Sequence, residues 1–258
     1  MLVAIIALSS DRITDWIIEE WYLSKLRSVD EAEKKIAAEK LAEMRSIKAV
    51  PVLIELFEKE PGEPRHLPYS AKALVKIGEP AVSSLIEELV VRDRIPWRCV
   101  SYTLKDIGRP AVPDLVSKLK SDDAEVRRLA AHTLGKMRQG AEAAVPALIE
   151  LLKDPNQSVR LAVAEAFPGI GKGAKAAAPA LVEALRDDSY EVRRTAALSL
   201  AKTGCAPEAL TRVVEALRKC LEDDHEGVQV NAAVALRKIE SGRWGWCSYG
   251  WWRKPAGK

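Results

Sequence analysis

The sequence is poor in aromatic residues, histidine and side-chain amides, and these shortages limit the kind of core and the kind of site it can form. Phe, Trp and Tyr make up 5% of the 258 residues, so the core must be mainly aliphatic side chains and alanine, which favours closely packed helices. Asn and Gln together number five against 30% charged residues, a composition typical of thermophilic proteins. The three histidines and four cysteines show no metal-ligand spacing, so we expect no metal site and no cofactor.

The sequence also has no long hydrophobic run and no cysteine pair of the Cys-x-x-Cys type. The apolar run at residues 2–8 is too short to cross a bilayer and follows no Lys or Arg, so we interpret it as part of an N-terminal capping helix. Isolated cysteines are typical of free thiols in a reducing compartment, which favours a cytoplasmic protein. They are Cys99, Cys205, Cys220 and Cys247.

A strong excess of one charge is missing from the main body of the chain. The formal net charge is +3, but residues 241–258 contain four Lys and Arg and no acid, so residues 1–240 sum to −1. Nucleic-acid-binding domains normally carry a basic excess on the body. The sequence therefore disfavours a nucleic-acid partner.

What the sequence does contain is a 33-residue repeat. One repeated motif is Val-Arg-x-x-Ala or a close variant. A second repeated motif, Ala-x-Pro, precedes each copy of the first. The first occupies residues 126–131, 159–164 and 192–197, and the second residues 111–113, 144–146 and 177–179. A fixed period of this length is typical of a stacked array of small supersecondary units.

Each repeat predicts a helix A, a short turn and a helix B. In the copy that begins at residue 111, Pro113 fits the first turn of helix A, and residues 121–123 can cap helix B. Apolar residues at helical spacing then predict the buried face of helix B. These residues are Val126, Ala130, Ala131, Leu134 and Met137.

The template extends over most of the chain. We expect a capping hairpin at 1–46, repeats within 47–240, and a Trp-rich basic tail at 241–258. The expected repeats are 49–78, 81–108, 111–138, 144–171, 177–204 and 208–240. The last repeat has three extra residues near 219–221, which we expect to lengthen its helix A. Pro168 should kink helix B of its repeat or end it early.

These motifs resemble the short HEAT repeats of phycobilisome-lyase-like and related proteins. The resemblance covers residues 47–240 and implies an all-α, right-handed α-solenoid of about seven hairpins, with the B helices on the concave side. It also implies a ladder of acid and arginine pairs that links neighbouring repeats. The candidate pairs are Asp122 or Asp123 with Arg127, Asp154 with Arg160, and Asp187 with Arg193.

The three exposed columns of the B helices are the candidate binding surface. If the repeated Arg is position zero, these columns fall at +1, +5 and +9, and they carry a mildly basic band. Its members are Arg98, Tyr102, Arg128, His132, Lys136, Arg194 and Lys202. Such a band would accept an acidic or extended protein segment or a phosphate-bearing ligand, although an ordinary solvated helix face has the same composition.

The tail carries four tryptophans beside cations. They are Trp244, Trp246, Trp251 and Trp252. Aromatic side chains could cover the last repeat, dock on a partner, or lie at a membrane interface, and the sequence leaves these alternatives open.

Catalysis has little support in the sequence. HEAT-like hydroxylases hold a di-iron centre with repeated His-Glu pairs, whereas this chain has only His225-Glu226. We therefore expect a non-enzymatic scaffold that binds a protein along its concave face. The alternatives are a lyase-like subunit or chaperone that handles a prosthetic group on a partner, and an RNA-associated factor. The sequence does not indicate the oligomeric state.

Overall fold

The computed structural model describes residues 2–59, 63, 66–90 and 95–241, without the side chains of residues 2–12 and 90. These residues are almost entirely helical and contain no β-strand. The predicted all-α class is therefore confirmed. The chain divides into two compact units, Met1–Asp114 and Leu115–Lys258.

The first unit contains three pairs of helices, each made of an A helix and the B helix that follows it. The pairs are α1 (Leu2–Lys25) with α2 (Glu31–Glu43), α3 (Val50–Lys59) with α4 (Tyr69–Ile77), and α5 (Val82–Val90) with α6 (Trp97–Ile107). Within this unit α2 packs on α4 and α4 on α6, so the B helices form one layer.

Helix α7 (Val112–Lys118) contains the boundary between the units, and the second unit continues with regular A and B helices. They are α8 (Ala124–Lys136), α9 (Val145–Glu150), α10 (Gln157–Ile170), α11 (Ala178–Ala184), α12 (Tyr190–Thr203), α13 (Leu210–Lys219) and α14 (Glu226–Glu240). Helices α8, α10, α12 and α14 pack side by side in that order. Along the chain, the described helices thus make the seven hairpins that the repeat predicts.

Local sequence signals start these helices where they were expected. Asp123 and Asn156 cap α8 and α10, and each side chain accepts a hydrogen bond of 2.8 Å from the backbone N–H two residues later. Proline lies in the first turn of α9 and of α11, where its missing N–H leaves no helical bond unmade.

Small residues bring α8 and α10 into backbone contact. A Cβ added to Gly135 would lie 2.6 Å from the Cα of Ala166, and one added to Gly169 would lie 2.1 Å from the carbonyl oxygen of Gly135. Both distances are too short for any side chain. Alanine and glycine therefore set the spacing between these two repeats.

The repeated arginines form a ladder of bidentate bonds between neighbouring repeats. The Nε and Nη2 groups of Arg160 donate to the two carboxylate oxygens of Asp187 at 2.7 and 2.9 Å. Its Nη1 group donates to the carbonyl oxygens of Asp154 and Pro155 at 3.0 and 3.2 Å. One guanidinium thus joins the turn of its own repeat to the turn of the next.

The same geometry recurs twice, which confirms the predicted ladder and corrects its pairing. Arg127 binds Asp154 at 2.7 and 3.0 Å, and Arg193 binds Asp223 at 2.8 and 2.9 Å. The carboxylate partner belongs to the following repeat, and the turn six residues before each arginine supplies carbonyl oxygens.

The ladder holds its carboxylates in the ionised form. Burial alone would raise the pKa of Asp187. The hydrogen bonds from Arg160 and from the Ser189 backbone, together with the arginine charge, outweigh burial, so the pKa lies below the ordinary 3.8. The pKa of Asp154 is lowered in the same way, and that of Asp223 is lowered chiefly by Arg193.

Sequence differences decide where the ladder ends. The equivalent of Arg127 one repeat earlier is Trp97, and Ser121 stands where the next repeats have Asp154 and Asp187. At the other end, Gln229 replaces the arginine and keeps only a bond to the carbonyl oxygen of Asp223, at 2.7 Å. The bidentate rungs therefore lie within the second unit.

The extra residues of the last repeat lengthen its helix A, as predicted. Helix α13 has 10 residues, whereas α11 has 7. Arg193 and Asp223 are consequently 30 residues apart, against 27 for the other two rungs.

Of the two outcomes predicted at Pro168, a kink or an early end of α10, the early end does not occur. The helix continues through Pro168 to Ile170 and ends at Gly171. Proline has no N–H to donate to the carbonyl oxygen of Ala164, and the buried Ser199 hydroxyl of the next repeat donates to that oxygen at 2.6 Å. A side chain from α12 thus replaces the missing helical bond.

Replacing Asp187 with Asn tests the ladder. The substitution leaves the half-buried Arg160 guanidinium without a charged partner, so we expect the free energy of unfolding to fall by about 2 kcal/mol. Chemical denaturation measures it. Asp188→Asn is the matched control because Asp188 is exposed, and a loss of similar size there would contradict the assignment.

The same carboxylates predict acid sensitivity. Their pKa values are lower in the folded chain than the ordinary 3.8, so their contribution to stability is fully present above that value and is lost as the pH falls below it. We expect the free energy of unfolding to fall steeply below about pH 4. Asp187→Asn should make this dependence shallower, and an unchanged slope would count against the ladder.

A double-mutant cycle tests the bond between Ser199 and Ala164. Ser199→Ala should cost about 1–2 kcal/mol, since the carbonyl oxygen of Ala164 then has no donor. In a Pro168→Ala background the cost should be smaller, because residue 168 regains a backbone N–H. Equal costs in both backgrounds would show that the serine bond does not compensate for the proline.

Candidate functional site

The B helices of the second unit line a groove on their exposed side. Its volume is about 630 Å³, and residues of α10, α12 and α14 surround it. They are Glu165, Pro168, Arg194, Thr195, Leu198, Lys202, Glu226, Gly227, Val230 and Asn231. Three successive repeats therefore contribute to one surface, which we call the α12 groove.

Helix α12 supplies the central row of the groove. Arg194, Leu198 and Lys202 are four residues apart, so their side chains follow one another along one face of the helix. Arg194 and Lys202 are exposed, and neither forms an ion pair with another described residue. The row thus presents two available cations with an apolar side chain between them.

Helix α14 forms one wall of the groove. Val230 is 52% exposed, so an aliphatic side chain faces solvent on this wall. The Asn231 Nδ2 group donates to the carbonyl oxygen of Arg194 at 2.9 Å and joins the wall to the row. A Cβ on Gly227 would lie 3.1 Å from the Cδ of Arg194, so glycine leaves room for the arginine stem.

Two acids also border the groove, and they limit its total charge. Glu165 lies on α10 and Glu226 at the start of α14, and both are exposed. The two cations and two acids cancel. Selectivity in this groove therefore depends on the position of each charge, and not on an overall positive potential.

The structure brings together only some of the predicted binding residues. Arg194 and Lys202 line the α12 groove, whereas Arg98 and Tyr102 lie on α6 of the first unit. The Arg98 guanidinium lies 5.4 Å from the centre of the Trp97 ring, a cation–π arrangement.

The remaining predicted residues lie on α8. The Arg128 Nε and Nη2 groups donate to the Glu125 carboxylate at 2.6 and 2.5 Å, and this bond raises the pKa of Arg128. The charge of Arg128 is therefore largely neutralised by Glu125 of the same helix. His132 is half-buried and Lys136 is exposed.

The predicted tail residues Trp244, Trp246, Trp251 and Trp252 lie outside the described residues, as does Cys247. The described cysteines, Cys99, Cys205 and Cys220, are all buried. Burial raises the pKa of the Cys205 thiol to about 11, so it stays protonated at neutral pH.

The sequence analysis missed the apolar and amide members of the groove. Leu198 and Val230 belong to the same exposed columns as the cations. Their apolar character in columns that are mainly charged or polar was the signal that could have indicated them. Asn231 lies outside those columns, and nothing in the sequence pattern indicated it.

Two further findings bear on function. The described residues contain no group of three or more His, Cys, Asp or Glu side chains arranged to hold a metal ion. No helix in the described part of the chain is both long enough and apolar enough to cross a membrane.

The stacked hairpins and the ladder define a helical-repeat protein of the α-solenoid class. The family described as HEAT repeats matches residues 100–168 and 178–243, more than half of the chain. This chain belongs to the HEAT-repeat family. No curated protein matches it.

Several solved structures are similar in fold. An engineered protein is 26% identical over 87% of this chain and 97% of its own, with a TM-score of 0.50. A designed armadillo repeat protein in complex with the peptide (KR)4 is 21% identical over 84% and 97%, with a TM-score of 0.49. The complex of CpcE and CpcF of phycocyanin lyase from Nostoc sp. PCC7120 is 22% identical over 60% and 99%, with a TM-score of 0.42.

Proposed function

We propose that this chain is a non-enzymatic scaffold that binds an extended segment of another protein in the α12 groove. The observation that carries the proposal is the row of Arg194, Leu198 and Lys202 beside the exposed Val230. A half-exposed apolar side chain between two available cations, with an exposed valine beside it, is typical of an interaction surface.

The spacing of this row specifies the chemistry of the segment. Residues four apart on a helix are separated by about 6 Å along its axis. Alternate residues of an extended chain are separated by about 6.6 Å and point to the same side. A segment parallel to α12 can therefore place an acidic, an apolar and an acidic side chain opposite Arg194, Leu198 and Lys202.

The two acids of the groove favour this alternation over a uniformly acidic segment. Glu165 and Glu226 would repel additional carboxylates beside the row. They would also repel a nucleic-acid backbone, which agrees with the near-neutral charge of residues 1–240. The proposed partner is thus a protein segment with acidic residues at positions i and i+4 and an apolar residue at i+2.

Binding of a synthetic peptide with this pattern tests the proposal. We expect a peptide with Glu at i and i+4 and Leu at i+2 to bind at least about tenfold more tightly than a scrambled peptide of the same composition, which corresponds to about 1.4 kcal/mol. Fluorescence anisotropy of a labelled peptide measures the affinity.

The double variant Arg194→Glu and Lys202→Glu should abolish this preference. The matched control is Arg218→Glu with Lys219→Glu, which makes the same charge change at exposed positions of α13. If the scrambled peptide bound equally well, or if both double variants lost binding equally, the α12 groove would not be the site.

A further inference from the structure

Helix α1 is the least covered helix of the first unit. It runs for 24 residues, from Leu2 to Lys25, and every side chain from residue 13 to residue 18 is exposed. Contact with the rest of the unit is limited to a few positions. The Lys48 ammonium lies 5.9 Å from the centre of the Trp16 ring, and Glu19 bonds to Ser46. Tyr22 and Leu23 are half-buried, and Leu26 beyond α1 is fully buried.

The exposed part of α1 is strongly apolar. Ile13, Trp16, Ile17 and Trp21 lie at i, i+3, i+4 and i+8, on one side of the helix, and each is 54–58% exposed. The neighbouring Ile47 is 66% exposed. A hairpin that caps a repeat array presents a polar outer face to water. The exposed stripe of α1 is apolar instead, which is typical of a docking site.

Acidic side chains border this surface. Glu19 accepts a hydrogen bond of 2.6 Å from the Ser46 hydroxyl, and Lys48 forms ion pairs with Glu19 and Glu20 at 3.2 and 2.8 Å. Asp15 forms no ion pair with a described residue. Two of the three carboxylates thus share one lysine, and the third has no cation among the described residues. We call the apolar stripe with these three acids the α1 face.

A small groove in the α1 face combines both properties. It has a volume of about 420 Å³ and is lined by Asp15, Trp16, Glu19 and Met44. An indole or the stem of an arginine fits between an aromatic ring and a methionine, and the two carboxylates can accept from a donor at its end.

The chain itself contains one segment of complementary composition. Residues 242–258 have four tryptophans, four Lys and Arg residues and no acid. We propose that this segment of a second copy docks on the α1 face, so that molecules associate head to tail. The tryptophans and cations of the segment match the apolar stripe and the acids of the α1 face.

The charges of the α1 face disfavour two other occupants. In an antiparallel pair of α1 helices packed through the stripe, Glu20 of each copy would enter the apolar contact, and burying a carboxylate there costs free energy. An anionic membrane surface would likewise be repelled by Asp15, Glu19 and Glu20, whereas interfacial helices carry cations on the polar side.

Two full-length variants test the proposal by complementation. The face variant carries Trp16→Ser and Trp21→Ser. The tail variant carries Trp244→Ser, Trp246→Ser, Trp251→Ser and Trp252→Ser. Analytical ultracentrifugation of the wild type should show a mass that rises with protein concentration and falls with added salt. Each variant alone should remain a monomer.

An equimolar mixture of the two variants should form a 1:1 dimer and nothing larger, since the mixture retains one intact face and one intact tail. The control variant, Leu221→Ser with Val234→Ser, removes two exposed apolar side chains elsewhere and should associate like the wild type. Circular dichroism confirms that each variant remains helical.

Three results would overturn the proposal. They are a wild type that is monomeric at every concentration, a tail variant that still associates by itself, and a mixture that stays monomeric. Binding of the monomeric wild type to phosphatidylcholine and phosphatidylglycerol vesicles, lost in the face variant, would also overturn it and would assign the α1 face to a membrane surface.

Discussion

The arginine ladder is the interaction on which the arrangement of the second unit depends. Each guanidinium uses all its nitrogens, two groups on the carboxylate of the following repeat and one on the carbonyl oxygens of its own turn. A lysine could not do this, because its single ammonium lacks the planar fork. The bidentate geometry fixes both the distance and the orientation between successive turns. In an array whose stability is a sum of repeats and their interfaces, such a contact at each interface sets the register of the B helices.

That register leaves little of each B helix for other uses. Helices α10 and α12 pack against a B helix on either side and an A helix behind, so that even Ser199 and Thr203, polar by type, are buried. What remains are three positions per repeat, and in α12 they are Arg194, Leu198 and Lys202. The repeated residues build the stack, and the positions that differ between repeats define the surface. We expect a substitution at these three positions to have little effect on packing and, under the proposed function, to change recognition.

The sequence predicted the helix pairs and the ladder because both repeat, and repetition separates a structural requirement from chance. It did not predict features that occur once. The bond from Ser199 to Ala164 could not be inferred, because it pairs residues of different repeats around a proline that breaks the pattern. Of the residues that line the groove, the predicted binding set contained the cations Arg194 and Lys202 and did not contain Leu198 and Val230. The exposure of α1 depends on how far α2 covers it, and hydrophobic spacing alone does not distinguish a buried stripe from an uncovered one.

The repeat geometry also explains why an α-solenoid suits extended ligands. Side chains at +1, +5 and +9 of a B helix recur every 6 Å or so along its axis, close to the spacing of alternate residues in an extended chain. A ligand aligned with the helix can therefore match side chain to side chain without bending either partner. Since the ladder holds neighbouring helices in register, residues such as Glu165 and Val230 meet the ligand from both sides at fixed positions. Recognition then depends on the order of charged and apolar groups, and a stack of nearly identical repeats can present a different order on each helix.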